Sequence, residues 1–533
     1  MATRVGRALT PSALVRRLEA PALRGLAALV LLACCLLPLL GIGAELVVDG
    51  ASAQLRATLG APGAWLLLLR SIGLALVIAA GATAIGVPLG VVLGRSDAAG
   101  RRAALWLHLF PVSVPPFLLA LGWFHLLGRH GLVGAAWTSD ALFGPAGVVI
   151  VLTLAFTPVV SALVALGLQG IDASLEEAAL VASRPLRVVT GILLPLGWRS
   201  IALAALIVFA LALSEIGVPM FLRVRTYPAA VFTRLGGVDY APGEAVALVL
   251  PLVLVGVLLV VIDRRLLGAR SVAGFGLRSR DPAPLPLGRA RAIVSGLVWL
   301  VILLSLLPLL ALLWRAGGAG LWQATAWIGA SVTTSVLAGV LAATVISLVG
   351  VVIGHALARA HPGAAIVDGL SLIAFMAPAS VLGVGLIAVW NRPATNFVYS
   401  TTAILVLGLA ARYAVIGVRA LAAVFARSSP HYEEAAACAG SGYLRRLSGV
   451  VIPMHARGVV GAWLIVLVFC LRDLDTVVGF YPPGLEPLVV RIFTLEANGP
   501  EQIVAALASY QVLLTALVLV AGAVVLRRPR AAS

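Results

Sequence analysis

Two short acidic segments of the sequence share a pattern that suits docking rather than catalysis. Residues 175–183 read LEEAALVAS and residues 432–440 read YEEAAACAG, so a pair of glutamates precedes a run of small residues in each. Ser174 with Glu177 fits a helix capping box, and Ser429 with Pro430 fits an N-cap followed by a first-turn proline. Each segment therefore predicts a short helix whose small-residue face can approach a partner closely. For either segment alone, an ordinary connecting helix is the alternative.

Three ionisable residues lie within apolar stretches, where a charge is costly and is by default a functional candidate. Glu215 and Asp473 each follow a proline by twenty residues, at equivalent distances beyond the two acidic segments, and Arg412 lies in another apolar run. We predict that these residues line a path through a membrane or its outer gate. The alternative is structural, with acids that reach the membrane surface or pair with an arginine such as Arg472.

The other reactive residue types form no recognisable catalytic or metal-binding pattern. The four cysteines show no CxxC spacing, and the seven histidines are scattered. The chain has no lysine, which excludes a Walker-type phosphate-binding loop because that loop needs its lysine. We therefore predict that the chain is not an enzyme, carries no metal site and does not hydrolyse ATP by itself.

The composition is that of an integral membrane protein. Of the 533 residues, 61% are hydrophobic and only 11% are charged, and the mean hydropathy is +1.09. Soluble domains have about 45–50% apolar and about 25% charged residues, so a soluble or disordered chain is excluded. The net charge of +17 does not indicate nucleic-acid binding, because the arginines lie between long apolar runs.

Twelve apolar runs are long enough to cross a bilayer as helices, since about 20 residues span its ~30 Å core. The fold class is thus an all-α polytopic membrane protein. The predicted spans are 25–44, 65–94, 104–127, 145–168, 200–222, 243–263, 292–313, 330–358, 366–390, 401–425, 458–480 and 502–526. The first run resembles a signal peptide with a cleavage site at Ala51–Ala53, but its length favours an uncleaved anchor.

The arginines predict the orientation of these spans. If both termini are cytoplasmic, 26 of the 38 arginines fall on the cytoplasmic side. Seven of them lie in the Arg-, Gly- and Pro-rich linker 264–291, which separates two halves of six spans each. Because six is even, both halves begin on the same side, as in a parallel repeat.

The two halves repeat one another residue by residue. Five positions of the second and eighth spans match at an offset of 264, from Ser71 and Ser335 to Arg95 and Arg359. Gly86 and Gly350 are among them, and we predict that they mark close helix contacts. The acidic segments match at an offset of 257, and each leads to a proline, Pro195 or Pro453. A duplication is the simplest explanation of so many matches.

The paired acidic segments resemble the EAA motif, E-A-A-x(3)-G-x(9)-I-x-L-P, of ABC-importer permeases. The second copy fits well, with Gly440 and Pro453 in place. The first departs, since Ser183 replaces the glycine and Pro195 comes one residue early. The chain as a whole resembles a fused permease with two MetI-like domains of the ferric-iron and thiamine type.

This resemblance implies a domain organisation and two docking sites. The expected units are 1–64 (Arg-rich segment, first span and outer loop), 65–263 (first permease domain), 264–291 (cytoplasmic linker), 292–329 (seventh span and outer loop), 330–526 (second permease domain) and 527–533 (tail). In the family, the EAA segment is a coupling helix that sits in a cleft of a cytoplasmic ATPase. Carried over to this sequence, the coupling residues are Glu176, Glu177, Ala178, Ala179 and Ser183, and Glu433, Glu434, Ala435, Ala436 and Gly440.

The resemblance also implies partners, location and cargo. Two copies of an ABC ATPase would bind ATP and Mg²⁺, so no cofactor is expected in this chain. A periplasmic or extracellular solute-binding protein would deliver the solute to a multi-pass permease in the bacterial plasma (inner) membrane. Ferric iron is the expected solute, with thiamine, polyamine or phosphonate as alternatives. A secondary transporter is the alternative class, and it would carry several charges and broken helices within the membrane.

Overall fold

The computed structural model describes residues 11–45, 51–236, 242–266 and 284–527. These residues form helices throughout, and within them the only β pairing is an isolated bridge between Ser96 and Leu285. Most of the predicted linker, residues 267–283, and the last six residues of the chain lie outside the described residues. The predicted all-α class is confirmed.

Among its described residues, the first half has thirteen α-helices. They are α1 (Pro11–Glu45), α2 (Ala51–Gly60), α3 (Pro62–Arg95), α4 (Arg101–Leu109), α5 (Pro116–Leu127), α6 (Ala136–Leu142), α7 (Pro145–Leu168), α8 (Ala173–Ala182), α9 (Pro185–Val188), α10 (Leu194–Ser214), α11 (Gly217–Phe221), α12 (Tyr227–Gly236) and α13 (Pro242–Leu266).

The second half repeats this order after the linker. Its helices are α14 (Arg291–Ile328), α15 (Ser331–Ala358), α16 (Ala364–Met376), α17 (Ala379–Trp390), α18 (Asn396–Tyr399), α19 (Thr402–Phe425), α20 (His431–Cys438), α21 (Tyr443–Arg446), α22 (Ile452–Met454), α23 (Ala456–Leu471), α24 (Leu488–Glu496) and α25 (Glu501–Arg527).

Each predicted span corresponds to a helix or to a bent helix pair. In the described part of the chain, nine helices are long and apolar enough to cross a membrane, and three further pairs bring the number to twelve. The prediction of unbroken third and ninth spans is wrong, because 104–127 and 366–390 each contain the break of a bent pair, whereas the bend of the eleventh pair lies just before the predicted span 458–480. The fifth and eleventh spans also end earlier than predicted, at Ser214 and Leu471.

The bends of the third and ninth spans have the same cause at equivalent positions. The third span bends by 102° between Ser113 and Pro116, and the ninth by 103° between Met376 and Ala379. Pro115 and Pro378 lie at these breaks, 263 residues apart. A proline disfavours α-helical backbone at the preceding residue, and Val114 and Ala377 are extended, with ψ of 142° and 139°. Hydropathy averages over such a break and therefore misses it.

Both EAA segments lead into a π-helical turn, Val189–Leu193 and Leu447–Val451. Pro195 and Pro453 follow directly. A proline lacks the amide hydrogen and its ring collides with the carbonyl four residues earlier, so a wider turn at this point relieves the conflict. Beyond the proline, the second half bends by 86° before Ala456, whereas the first half continues as one helix to Ser214.

Glycines allow the central helices of each half to approach closely, as predicted. A Cβ on Gly86 of α3 would lie 2.6 Å from Cβ of Val160 in α7. A Cβ on Gly350 of α15 would lie 2.9 Å from Cδ1 of Leu421 in α19. The α3–α7 and α15–α19 pairs are therefore matching backbone-close contacts of the small-residue type.

The leading helix of each half packs on the bent span of the other half. In α17, Gly385 faces the carbonyl of Pro38 in α1, and in α5, Gly122 faces the carbonyl of Pro308 in α14. A Cβ at either glycine would overlap that carbonyl oxygen. The two halves are thus joined crosswise, through equivalent contacts.

We predict that Gly385→Ala destabilises the protein, because the added methyl must push α1 away from α17. Overpacking of this kind typically costs about 1–3 kcal/mol. The matched control is Gly296→Ala in α14, where a Cβ would meet nothing within 4 Å. There alanine should be neutral or stabilising, since it is the better helix former. Thermal unfolding of the two purified variants, followed by size-exclusion chromatography, tests this; equal melting temperatures would contradict the crosswise contact.

Candidate functional site

The first EAA helix is α8, and its N-cap is Asp172. The Asp172 carboxylate accepts hydrogen bonds from the Ser174 amide at 2.9 Å and from the Ser174 hydroxyl at 3.0 Å. These bonds lower the pKa of Asp172. The predicted capping box with Ser174 as N-cap is wrong, since the helix begins one residue before Ser174 and the aspartate occupies the capping position.

Glu176 points from α8 into the membrane domain. Its carboxylate is fully buried, and Oε2 lies 3.4 Å from Nη1 of Arg95, at the end of α3. Neither carboxylate oxygen has a hydrogen-bond partner among the described residues. Burial raises the pKa of Glu176, and the nearby Arg95 guanidinium offsets part of this rise. The ion pair therefore offsets only part of the free-energy cost of burying the carboxylate.

The second EAA helix is α20, which is capped by Pro430 rather than by the predicted Ser429. The Ser429 hydroxyl still accepts from the His431 amide at 3.3 Å, so the expected bond exists one position away. Helix ends shift by a residue between definitions, and this difference has no further consequence.

Glu433 is the counterpart of Glu176, and it is held by three hydrogen bonds from α15. His355 Nε2 donates to Oε2 at 2.8 Å, and Arg359 donates to Oε1 from Nε at 3.0 Å and from Nη2 at 2.7 Å. Burial disfavours ionisation of Glu433, but the His355 and Arg359 bonds outweigh it and lower the pKa to about 2. The second EAA helix is therefore fastened to the eighth span by a fully ionised carboxylate.

The remaining EAA residues face away from the membrane domain or lie at its edge. Glu434 is 66% exposed, and Ala178 and Ala435 are exposed as well. Gly440 has φ +82°, a left-handed conformation that favours glycine. Ser183 at the equivalent place is extended, with φ −145°, so the first copy does not need the motif glycine.

Large apolar side chains are exposed beside both EAA helices. Val181 is 91% and Leu186 is 74% exposed near α8, and Tyr432 and Leu444 are exposed near α20. Exposed apolar side chains next to exposed glutamates are typical of a protein contact surface.

The predicted path residues Glu215, Asp473 and Arg412 come together between the halves. Glu215 directly follows α10, which is about 30 Å long and rises from the side of the EAA helices. Each acid accepts a hydrogen bond from the backbone amide three residues further along the chain, at equivalent positions of the two halves. Glu215 Oε1 accepts from the Val218 amide at 3.2 Å, and Asp473 Oδ1 accepts from the Thr476 amide at 2.9 Å.

Two arginines of the second half donate hydrogen bonds to backbone carbonyls at the bends, where the helical hydrogen-bond pattern is interrupted. Arg412 donates to the carbonyls of Phe375 and Ala377 at the ninth-span bend, and to Ser214 Oγ at 2.9 Å. Arg472 donates to the carbonyl of Val112 at the third-span bend. Cations suit helix C-termini because of their exposed carbonyls and negative dipole end.

Asp475 belongs to the same cluster but was missed by the sequence analysis. Its Oδ1 accepts from the Ile216 amide at 2.9 Å and so ties the second half to the first. The available signal was a second acid in the apolar stretch, two residues after Asp473.

A small cavity with about 30 Å³ of room for water lies among these side chains. Asp473 and Thr476 line it, and their Oδ2 and Oγ1 atoms have no hydrogen-bond partner among the described residues. The described residues contain no group of three or more His, Cys, Asp or Glu side chains that could hold a metal ion.

A second buried ionic cluster also joins the halves and was not predicted. Asp368 of α16 accepts from Arg264 of α13 at 2.8 Å and from Arg419 of α19 at 2.9 Å. Arg419 also lies 3.7 Å from Asp263. The end of α13 is thus fixed to the second half at the side where the EAA helices lie.

Comparison with known proteins gives one family for this architecture. Residues 86–272 match the family model described as "Binding-protein-dependent transport system inner membrane component". The molybdenum transport system permease protein ModB of Mycobacterium tuberculosis is 32% identical over 206 residues, which are 36% of this chain and 75% of that protein.

A longer alignment matches parts of both halves of the chain to a single relative. The ferric transport system permease protein FbpB of Actinobacillus pleuropneumoniae is 25% identical over 409 residues, which are 69% of this chain. The match spans 58% of that protein's own length.

We predict that Glu433 stabilises the protein at every pH above the ordinary carboxyl value. A lowered pKa adds stability that is complete above about 4.5 and is lost as the pH falls towards 2. The melting temperature of Glu433→Gln should therefore lie below that of the wild type, by a gap that does not shrink from about pH 8 to pH 5. The control Glu434→Gln should match the wild type. A gap that closes above pH 5 would contradict the assignment.

Proposed function

The chain belongs to the family of binding-protein-dependent transport system inner membrane components, and we propose that it is a two-domain permease of an ABC importer. It forms the translocation path and couples ATP hydrolysis by a separate ATPase to solute uptake. One observation carries this proposal: two EAA helices stand at equivalent places in the repeat, and each inserts a glutamate beside an arginine that ends a membrane helix.

The coupling mechanism follows from these contacts. Two ATPase subunits, which bind ATP and Mg²⁺, would each receive one EAA helix together with its second glutamate and its apolar neighbours. When the ATPases close, displacement of α8 acts on α3 through Glu176 and Arg95, and displacement of α20 acts on α15 through Glu433 and Arg359. Because α3 and α15 pack tightly on α7 and α19, each pair moves as a unit.

The proposed path runs between the halves, through the cluster of Glu215, Asp473 and Arg412. A periplasmic or extracellular solute-binding protein would deliver the solute on the side opposite the EAA helices. The chain would then be a multi-pass protein of the bacterial plasma (inner) membrane, with both termini in the cytoplasm.

Ferric iron is the proposed solute. Glu215, Asp473 and Asp475 bring three acidic side chains to the proposed path, and Arg412 and Arg472 lie beside them. The FbpB relative is named for ferric transport, and the ModB relative for molybdenum. The FbpB alignment covers 69% of this chain and the ModB alignment 36%, and the longer alignment supports ferric iron.

A secondary transporter also predicts bent spans and buried charges, both of which occur here. The family and the paired EAA helices favour the ATP-driven permease instead. The two classes differ in their need for an ATPase, so the docking surface offers the decisive test.

We predict that Glu177→Arg combined with Glu434→Arg abolishes ATPase association and uptake while the chain stays folded. Glu434 is exposed and Glu177 is half-buried. Reversal of charge at these positions opposes a partner that accepts acids. The measurement is co-purification of the ATPase with the tagged chain, together with ATP-dependent uptake in vesicles. Asp140→Arg is the control, because Asp140 is exposed in α6, which precedes the end of α7 that is far from α8. Coupled uptake that survives the double reversal would favour the secondary transporter.

We predict that Glu215→Gln and Asp473→Asn each reduce ferric uptake by about tenfold or more, because each amide replaces one of the two carboxyl oxygens, and with it an acceptor, on the proposed path. The amides keep an oxygen that can accept from Val218 or Thr476, so the caps and the fold should persist. Uptake of labelled ferric iron is compared with ATPase co-purification, which should be unchanged. Wild-type uptake in both variants would leave the acids a structural role only.

A further inference from the structure

The helical segment that follows the second EAA helix is capped by a distant part of the chain. This segment is Tyr443–Met454, in which α21 continues through the π-helical turn into α22. Glu19 of α1 accepts from the Tyr443 amide through Oε2 at 3.1 Å and from the Leu444 amide through Oε1 at 3.0 Å. The first amides of a helix have no partner within it, and an acidic side chain there is stabilising. Because the N-cap residue is Gly442, which has no side chain, Glu19 takes the place of a local cap.

The contact between α1 and α21 is close and extends beyond this cap. A Cβ on Gly442 would lie 2.5 Å from Oε2 of Glu19, so the glycine makes room for the carboxylate. One turn further along α1, Leu23 packs against the apolar cluster that contains Tyr443. The Arg24 guanidinium lies 4.9 Å from the centre of the Tyr443 ring. The cytoplasmic end of α1 is therefore attached to α21 by ionic, apolar and cation–π contacts together.

The α21 segment is in turn attached to the second EAA helix. Only residues 439–442 separate α20 from α21. The Tyr443 hydroxyl lies 3.3 Å from Nδ1 of His355, and Nε2 of the same ring donates to Glu433 in α20 at 2.8 Å. A displacement of α20 must therefore also displace α21 and the end of α1 that holds it.

The other part of α1 lies against the bent ninth span. From Glu19 to Pro38 the helix rises by about 30 Å, since each residue adds about 1.5 Å. There the carbonyl of Pro38 contacts Gly385 of α17 with no room for a Cβ between them. The first residue of α17, Ala379, donates to Ser214 Oγ beside the central polar cluster. Helix α1 thus connects the second EAA segment directly to the part of the membrane domain that borders the proposed path.

We propose that α1 transmits movement of the second EAA helix to the ninth span, with Glu19 as the positioning residue that ties α21 to α1. The proposal rests on the proposed permease function. It gives the leading helix a role in coupling that a membrane anchor would not require, because an anchor needs no acid at the N-terminus of a helix in the other half.

The cap can be measured on the purified chain without any ATPase, by hydrogen–deuterium exchange in peptides that cover residues 440–454. Glu19→Ala should speed exchange of the Tyr443 and Leu444 amides by about tenfold or more, because both lose their acceptor. The matched control is Glu45→Gln, which removes an acid from the opposite end of α1, where it pairs with the exposed Arg392. Exposed pairs contribute little, so the control should exchange like the wild type. Unchanged exchange in Glu19→Ala would overturn the proposal.

A double variant separates capping of α21 from its connection to α1. In Glu19→Ala/Gly442→Asp, the new aspartate can cap α21 from the N-cap position, where the backbone is extended, with φ −65° and ψ 169°. Removal of the Glu19 carboxylate leaves room for the added side chain. Exchange in 440–454 should return to within about threefold of the wild type, while α1 stays unconnected to α21.

Transmission is then measured in the complex with the ATPase, as the change in exchange that a non-hydrolysable ATP analogue causes in residues 431–438 and 377–390. The wild type and Glu45→Gln should respond in both segments. Glu19→Ala and the double variant should keep the response in 431–438, which contacts the ATPase, and lose it about fivefold or more in 377–390.

The outcomes distinguish the coupling role from simple capping and from failure of the permease function. A wild-type response in 377–390 of the double variant would refute transmission through α1, since its α21 is capped but not connected. No response in 377–390 of the wild type would refute it as well. A wild-type chain that binds no ATPase would refute the permease function and the transmission role with it, while the exchange in 440–454 would still establish Glu19 as the cap.

Discussion

The structure depends on one constraint: a helix that breaks inside a membrane must find partners for its backbone groups without help from water. Pro115 and Pro378 break the third and ninth spans at equivalent places. Arg472 supplies a donor for the carbonyl freed at the first break, and Arg412 does so at the second. The arginines of the central polar cluster are thus needed to stabilise the bends, in addition to their place on the proposed path.

The same constraint explains why the halves are joined crosswise. The fifth and eleventh spans end at equivalent positions, and each end reaches the bend of the opposite half. Ser214 accepts from the Ala379 amide at 2.8 Å, and Arg472 binds Val112. The leading helices cross in the same sense, through Gly385 and Gly122. Movement of one half must therefore move the bent span of the other, so the contact region between the halves responds to both EAA helices.

The sequence predicted those features that depend on composition and repetition. Twelve spans, a duplication and two EAA helices follow from apolar run length and residue identity, and the span positions are confirmed to within a few residues at most ends. The bends were missed because a hydropathy window cannot distinguish a straight helix from a broken one. The inward roles of Glu176 and Glu433 depend on helix rotation, which two adjacent glutamates do not disclose. Asp475 was missed because it has no counterpart in the first half, where Gly217 stands, so comparison of the halves could not reveal it.

The two interpretations of the buried acids, structural and functional, are compatible because a carboxylate has two oxygens. Oδ1 of Asp473 caps the chain at Thr476 and holds the side chain in place. Oδ2 lines the cavity and has no partner among the described residues. A carboxylate that lines a buried path is best held by a hydrogen bond that uses only one of its two oxygens. The cap positions the side chain, and the second oxygen remains available on the proposed path between the halves.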